Sequence, residues 1–253
     1  MSDRPRSLRA EALVLRHRDW GEADRLLTLY TRRRGKLRAI VKGARKLRSR
    51  KAGHLEPFTH VALLMAAGHD LWIVTQAETI SAYLMLRDDL VLTGYAAYLI
   101  ELVDRFTYED EANPSIFNLC IQTLKRLNDG QDAFMAIRYF EMRLLDQLGY
   151  RPELTQCVNC RAEIQAEDQF FSALQGGVIC PKCVSSVVSP QPIGVDVLRY
   201  LRHFQRSNYR EALRARIPAA VQTEIESFMQ GYLTYLLERR LNSPNFLRDV
   251  RDR

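Results

Sequence analysis

Four cysteines stand where they could act together: CVNC at 157–160 and CPKC at 180–183, a C-x2-C-x19-C-x2-C arrangement. Two residues between thiolates let one tight turn aim both sulfurs at a shared centre, and a second such turn closes it, as in zinc ribbons. Four soft thiolates favour zinc or an iron–sulfur cluster. The expected occupant is one structural zinc ion held by Cys157, Cys160, Cys180 and Cys183. His203 is the only histidine beyond residue 69, so no fifth ligand is at hand and the shell is closed to a catalytic water. Disulfides belong to secreted chains, and a redox C-x-x-C comes singly beside a βαβ pattern that is not found here. The intervening RAEIQAEDQFFSALQGGVI is too polar and too short to build its own core, and a metal would supply folding energy. Gly176-Gly177 reads as a hairpin turn returning the chain to Cys180. Cys120 lies on an apolar helical stripe and reads as a core residue.

A second chemical feature is charge. Of 253 residues, 37 are Lys or Arg and 30 Asp or Glu, a net charge of +7. Residues 1–52 hold 17 basic against 5 acidic residues, and the remainder 20 against 25, so the excess sits in the first fifth. Arg32, Arg33, Arg34, Lys36, Arg38, Lys42, Arg45, Lys46, Arg48, Arg50 and Lys51 fall within 20 residues that contain no acid. Self-repulsion at that density would be relieved by a bound polyanion, nucleic acid before membrane. A solvated basic face is the plainer reading that this density argues against.

These groups need elements to hold them. Leu8–Arg16, Arg25–Tyr30, Lys36–Lys42, Thr59–Met65 and Leu71–Glu78 read as five strands punctuated by Gly21, Gly35, Gly43, Gly53, Pro57 and Gly68. In the third, Leu37, Ala39 and Val41 take one face and Lys36, Arg38 and Lys42 the other, with Ile40 the exception. Five short strands in about 75 residues suggest a small barrel, best matched by an OB-fold. GARKLRSRKAG at 43–53 is a basic loop. Of the nearby aromatics Trp20, Tyr30, Phe58 and Trp72, one or two could stack on bases, although an aromatic in a small barrel is more often core.

From residue 82 the period turns helical. Tyr95, Leu99, Leu102 and Phe106 share a stripe; so do Ile116, Leu119, Cys120, Thr123, Leu124 and Leu127; so do Ala133, Ile137, Phe140, Leu144 and Leu148. Gly149 ends the third helix. Helical stripes resume with Val197, Leu198, Leu201 and Phe204, then Val221, Ile225, Phe228, Tyr232 and Leu236. The expected fold is therefore α+β and multi-domain. An N-terminal OB-fold β-barrel covers 1–80, an α-helical domain 81–150 plus 190–253, and an inserted four-cysteine zinc finger 151–189.

Other chemistries lack their motifs. There is no P-loop and no G-x-G-x-x-G, histidines do not cluster, and serines lack a nucleophile-elbow context. Asp88-Asp89 and Glu109-Asp110-Glu111 read as capping or loop residues rather than a nuclease site. No apolar run approaches the ~20 residues of a membrane span, the longest being about Val61–Ala67. MSDRPRSLRAEA lacks a signal-peptide core. The expectation is a cytoplasmic, nucleoid-associated binding protein, not an enzyme.

The order of parts resembles the bacterial RecO family of recombination mediators. The likeness is carried by EALVLRHRDWGEADRLLTLYTRRRGKLRAIVKGARK (11–46), LEPFTHVALLM (55–65), AYLIELVDRF (97–106), FEMRLLDQLGYRPELTQCVNC (140–160), GGVIC (176–180) and RRLNSPNFL (239–247). The resemblance implies a DNA-repair factor that binds single- and double-stranded DNA and anneals complementary strands. With RecR, and often RecF, it would load RecA onto DNA coated by single-stranded DNA-binding protein (SSB). It would also bind the acidic, aromatic-ended SSB tail in an apolar groove rimmed by cations, which Lys125 and Arg126 could supply. The competing expectation is an RNA-binding module of translation or transcription, where OB-folds and zinc ribbons recur.

Overall fold

The computed structural model describes residues 6–251. The first five and last two positions, which the sequence-based domain boundaries and N-terminal reading include, lie outside the described residues. The polypeptide divides into two compact units. One takes in the chain up to Gln131 together with the segment from Asn242 onward; the other is Asp132–Leu241.

In the first unit, β1 (Ser7–Trp20), β2 (Asp24–Thr31), β3 (Gly35–Val41), β4 (His60–Ala67) and β5 (Trp72–Ser81) form a closed barrel in the order β1-β2-β3-β5-β4. Every pairing is antiparallel except β3 with β5, the arrangement of an OB-fold. The long β1 serves two neighbours, β4 through its first half and β2 through its second, with a bulge between Val14 and Arg16. It runs on to Trp20 although Arg16–Asp19 has no apolar alternation. Backbone pairing with Asp24–Thr28 sustains the strand there without help from a hydrophobic face. Inside sit Ala12, Val14, Leu27, Leu29, Val61, Met65 and Val74, with the expected Leu37, Ala39 and Val41 of β3. Ala44 and Leu55, from the loop after β3, join the same core and anchor that loop at both ends.

The helices α1 (Met85–Asp88), α2 (Leu90–Phe106) and α3 (Pro114–Asn128) follow. The stripes expected on α2 and α3 are buried. Asn113 caps α3 through the Ile116 N–H, with Pro114 in the first turn. The C-terminal α8 (Ser243–Arg251) joins this unit by lying on α2. Gly94 makes room for it, since a β-carbon there would come within 2.8 Å of Leu247 Cδ1. The Glu101 carboxylate holds the start of α8, accepting the N–H groups of Asn242 and Ser243 and the Ser243 hydroxyl.

In the second unit, α4 (Ala133–Leu148) starts at the Asp132 cap and stops at left-handed Gly149. A small sheet follows: β6 (Gln169–Ser172), β7 (Gly177–Ile179) and β8 (Gln191–Ile193) in the order β7-β6-β8. The β6–β7 connection turns at Gly176, φ 67°, as the glycine pair suggests. Then come α5 (Val195–Arg206), α6 (Tyr209–Ala212) and α7 (Ala219–Leu237). Phe171 of β6 packs edge-on against Phe228 and Tyr232 of α7, at 4.8 and 5.1 Å, which fastens the four-cysteine segment to its helices. Of the helices read from sequence as one domain, α1–α3 and α8 fall in the first unit and α4–α7 in the second. Among the described residues no helix is long and apolar enough to cross a membrane.

Candidate metal centre and nucleic-acid face

The first cysteine turn is built by backbone bonds. Arg161 N–H donates to Cys157 O at 2.9 Å, Cys157 N–H donates to Ala162 O at 2.8 Å, and Arg161 takes the left-handed conformation that closes the turn. Val158 N–H donates to Val178 O, placing this turn on β7, and the bare Cα of Gly177 allows the approach: a β-carbon there would lie 2.5 Å from Val158 Cγ1. The second turn starts where β7 ends. Cys183 N–H donates to Cys180 O at 2.9 Å, and Asn159 Nδ2 reaches across to Ser186 Oγ at 3.2 Å.

The four Sγ atoms all lie within 4.8 Å of one another, with Cys160 and Cys180 at 3.8 Å. A tetrahedral ion with metal–sulfur bonds of about 2.3 Å sets sulfurs about 3.8 Å apart, so the cluster fits a four-coordinate metal. Burial pushes the Cys157 thiol up, but N–H groups of Cys160, Cys180 and Asn159, with the Cys160 side chain, outweigh it and bring it down to about 6. Cys180 is pushed up to about 12 by burial and then by its three sulfur neighbours, including the Cys157 charge. A central cation removes that opposition between like charges. Cys120, fully buried on α3, is no member of this group, and burial holds its thiol far above the ordinary value.

The basic run is spread along the barrel. Arg32, Arg33 and Arg34 sit at the β2–β3 turn, and Lys42–Lys51 at the opposite end of β3, roughly 20 Å away by strand rise. Many of these cations are engaged by the fold. Arg32 pairs with Glu11 at 3.0 Å, Arg38 with Glu109 at 2.9 Å, Lys42 with Asp24 at 2.8 Å and Arg45 with Asp19 at 3.3 Å. Lys36 is the most committed: its ammonium, on a side chain only 16% exposed, donates to the Asp104 carbonyl at 2.6 Å and pairs with the Asp104 carboxylate. Lys51 donates to Val74 O at 3.1 Å. Lys46, Arg48 and Arg50 are exposed and have no carboxylate within ion-pair distance among the described residues, and the same holds for Arg33.

At the β2–β3 turn, Arg32, Arg33 and Arg34 with Arg9 flank a groove of about 830 Å³ that includes Leu8, Ala10, Leu63 and Ala77. At the other end, Asp24 accepts from Lys42 Nζ and the Gly43 N–H, and Arg45 N–H donates to Ala23 O, so the cationic loop is laced to the β1–β2 hairpin. The side-chain bond to Lys42, then that backbone bond, holds the Asp24 carboxyl below its usual range. Lys125 is exposed and paired with Asp129 at 2.8 Å, whereas Arg126 is half-buried. Beside them Met85 N–H donates to Asn128 Oδ1, and Leu84 and Met85 expose most of their apolar surface. Of the acidic pair, Asp89 caps α2 through Val91 and Leu92. Sequence reasoning did not single out the Leu84–Met85 patch; its signal was two apolar residues just ahead of a helix cap.

Residues 4–83 match the family profile described as Recombination protein O N terminal, and 87–245 the one described as Recombination protein O C terminal. The chain is 41% identical over 248 residues to the DNA repair protein RecO of Roseiflexus sp. (strain RS-1), covering 98% of this chain and 87% of that relative. It is 38% identical over 239 residues to that of Pelotomaculum thermopropionicum (strain DSM 13744 / JCM 10971 / SI), covering 94% and 93%. Against that of Bacillus pumilus (strain SAFR-032) it is 34% identical over 244 residues, covering 96% and 94%.

Proposed function

The chain belongs to the RecO family, and we propose on that premise that it is a non-enzymatic mediator of DNA repair and homologous recombination. It binds single- and double-stranded DNA, anneals complementary strands, and with RecR (and RecF where present) helps place RecA on SSB-coated single strands, in the cytoplasm at the nucleoid. The observation that carries this reading is the loop after β3, where Lys46, Arg48 and Arg50 project without carboxylate partners from a loop fixed at both ends. Such cations bind phosphates and release counter-ions without reading bases, so binding tolerates any sequence and falls with salt. Neutralising two strands together lets them approach, a minimal account of annealing. One structural zinc on Cys157, Cys160, Cys180 and Cys183 would cross-link the two turns of the second unit. The SSB tail, acidic and aromatic-ended, suits the exposed Leu84 and Met85 beside Lys125.

The test is single-stranded DNA binding across a salt series for the chain and for a Lys46→Ala/Arg48→Ala/Arg50→Ala variant. The slope of log affinity against log salt should flatten by about 2, at about 0.7 for each lost phosphate contact. Unchanged affinity and slope would count against the proposal, and a strong preference for RNA with base selectivity would favour the RNA-binding alternative. Annealing of SSB-coated complementary strands, with and without RecR, checks the mediator role.

A further inference from the structure

Four aromatic residues lie near the basic segment, and the fold separates them. Tyr30 is fully buried, Trp72 is 4% exposed, and Phe58 is half-buried. Trp20 alone of the four is open to solvent, 44% exposed at the tip of the β1–β2 hairpin. Left-handed Gly21 turns the chain there, with no atom within 4 Å of where its β-carbon would stand. An indole nearly half exposed leaves a flat apolar face open to a ligand.

Its surroundings specify that ligand. The Arg18 guanidinium lies over the indole, 5.4 Å from the ring centroid. Arg18 and Trp20, two apart on one strand, share a face. The hairpin carrying them is the one bonded to the cationic loop: Arg45 pairs with Asp19, and its guanidinium donates to Glu22 O at 3.3 Å. Of the local acids, Asp24 pairs with Lys42 and Asp19 with Arg45, so neither carboxylate stands as bare negative charge beside the loop. An exposed aromatic ring under one guanidinium, on a hairpin bonded to a cationic loop, matches a nucleotide, with a flat base for the ring and phosphates for the cations. A duplex presents no free base face, so the match is to a single strand.

We infer that Trp20 is a base-stacking platform for single-stranded nucleic acid, with the loop after β3 holding the adjoining phosphates. The inference rests on the proposed DNA-binding role and adds to it a residue and a preference for unpaired strands.

The chain has two tryptophans, and Trp72 lies in the barrel core, so changes in intrinsic emission report on Trp20. Titration with a thymidine homopolymer should quench that emission in step with binding followed by the anisotropy of a labelled strand. Trp20→Ala should weaken single-strand affinity about fivefold or more, as loss of one stacked base does. It should leave the salt slope and duplex affinity unchanged, and Trp20→Phe should restore part of the loss. A strand of abasic sites should bind the chain and Trp20→Ala equally. If the homopolymer binds without altering the emission, or Trp20→Ala binds it as tightly as the parent while the loop variant binds weakly, the stacking role is overturned and the DNA-binding proposal stands. If the parent chain binds no DNA, both fall.

Discussion

The imidazole of His60 donates from Nε2 to Glu11 Oε1 at 2.9 Å, and the other oxygen of Glu11 accepts from Arg32 at 3.0 Å. His60 is 6% exposed with its ring edge on Phe117. Burial lowers its basicity, Glu11 restores part, and Arg32 opposes again, so the folded pKa is below the ordinary 6.5. Burial raises the Glu11 carboxyl, but its bonds to Arg32 and His60 prevail and hold it below the usual range.

Stability should therefore decline on acidification in two stages. His60 contributes stability that is complete above the unfolded value near 6.5 and lost as pH falls through the lowered folded value, because the unfolded chain takes a proton the folded one resists. Glu11, with Glu56, Glu101 and Glu153, also held low, contributes stability present above the unfolded 4.5 and lost below it. Urea midpoints measured from neutrality downward should show both stages. His60→Gln should erase the upper one; an unchanged upper stage would show that another group sets it.

Metal analysis of freshly purified protein should find about one zinc per chain. Cys160→Ser or a strong chelator should remove it and collapse the Cys157–Cys183 segment. Zinc-finger peptides gain ~10–16 kcal/mol on binding metal, far more than this polar stretch can replace by packing. Near-ultraviolet circular dichroism and protease sensitivity within residues 157–183 read the outcome. Cys120→Ala should leave the zinc content unchanged.

Two members of the basic run should behave oppositely. Lys36→Ala takes the ammonium from the Asp104 carbonyl and carboxylate, leaving only Arg16 at 3.3 Å on the carboxylate, and should destabilise the first unit by about 1 kcal/mol. Arg48→Ala removes an exposed cation and should leave stability within about 0.5 kcal/mol while weakening DNA binding. Denaturation midpoints beside binding isotherms separate the two effects.

Gly35→Ala should destabilise by more than about 1 kcal/mol. Gly35 has φ 61°, and a β-carbon there would lie 2.0 Å from Glu111 O, in the segment that continues the sheet beside β3. Gly21→Ala, also left-handed but in open space, should be milder; equal losses would show that backbone conformation alone governs Gly35.

The local patterns were legible in the sequence. Five strands, the stripes of α2 and α3, the Gly176 turn and the convergence of four cysteines all follow from short-range spacing. Long-range partnerships were not. Nothing near Lys36 announces Asp104, which lies 68 positions on, and a run of cations does not say which of them Glu11, Asp19, Asp24 and Glu109 will engage. Strand β8 escaped notice because Pro192 sits inside three residues that only pairing with β6 makes a strand. The destination of α8 depended on a glycine in α2, 153 residues away in sequence from the Leu247 it accommodates, and no periodicity records such a fit.

The barrel closes where β3 meets β5, and there the register contains only Ala39 with Trp72 and Ile40 with Ile73, against seven pairs between β2 and β3. A ring of hydrogen bonds gives way first at its shortest seam, so brief openings of the cylinder into a curved ribbon should begin at that point. The strand bordering the seam leads directly into the loop that bears Lys46, Arg48 and Arg50. A polyanion gripping the loop would thus restrain the part of the barrel most ready to part, and amide exchange at Ala39, Ile40 and Ile73 would slow although the ligand touches none of them.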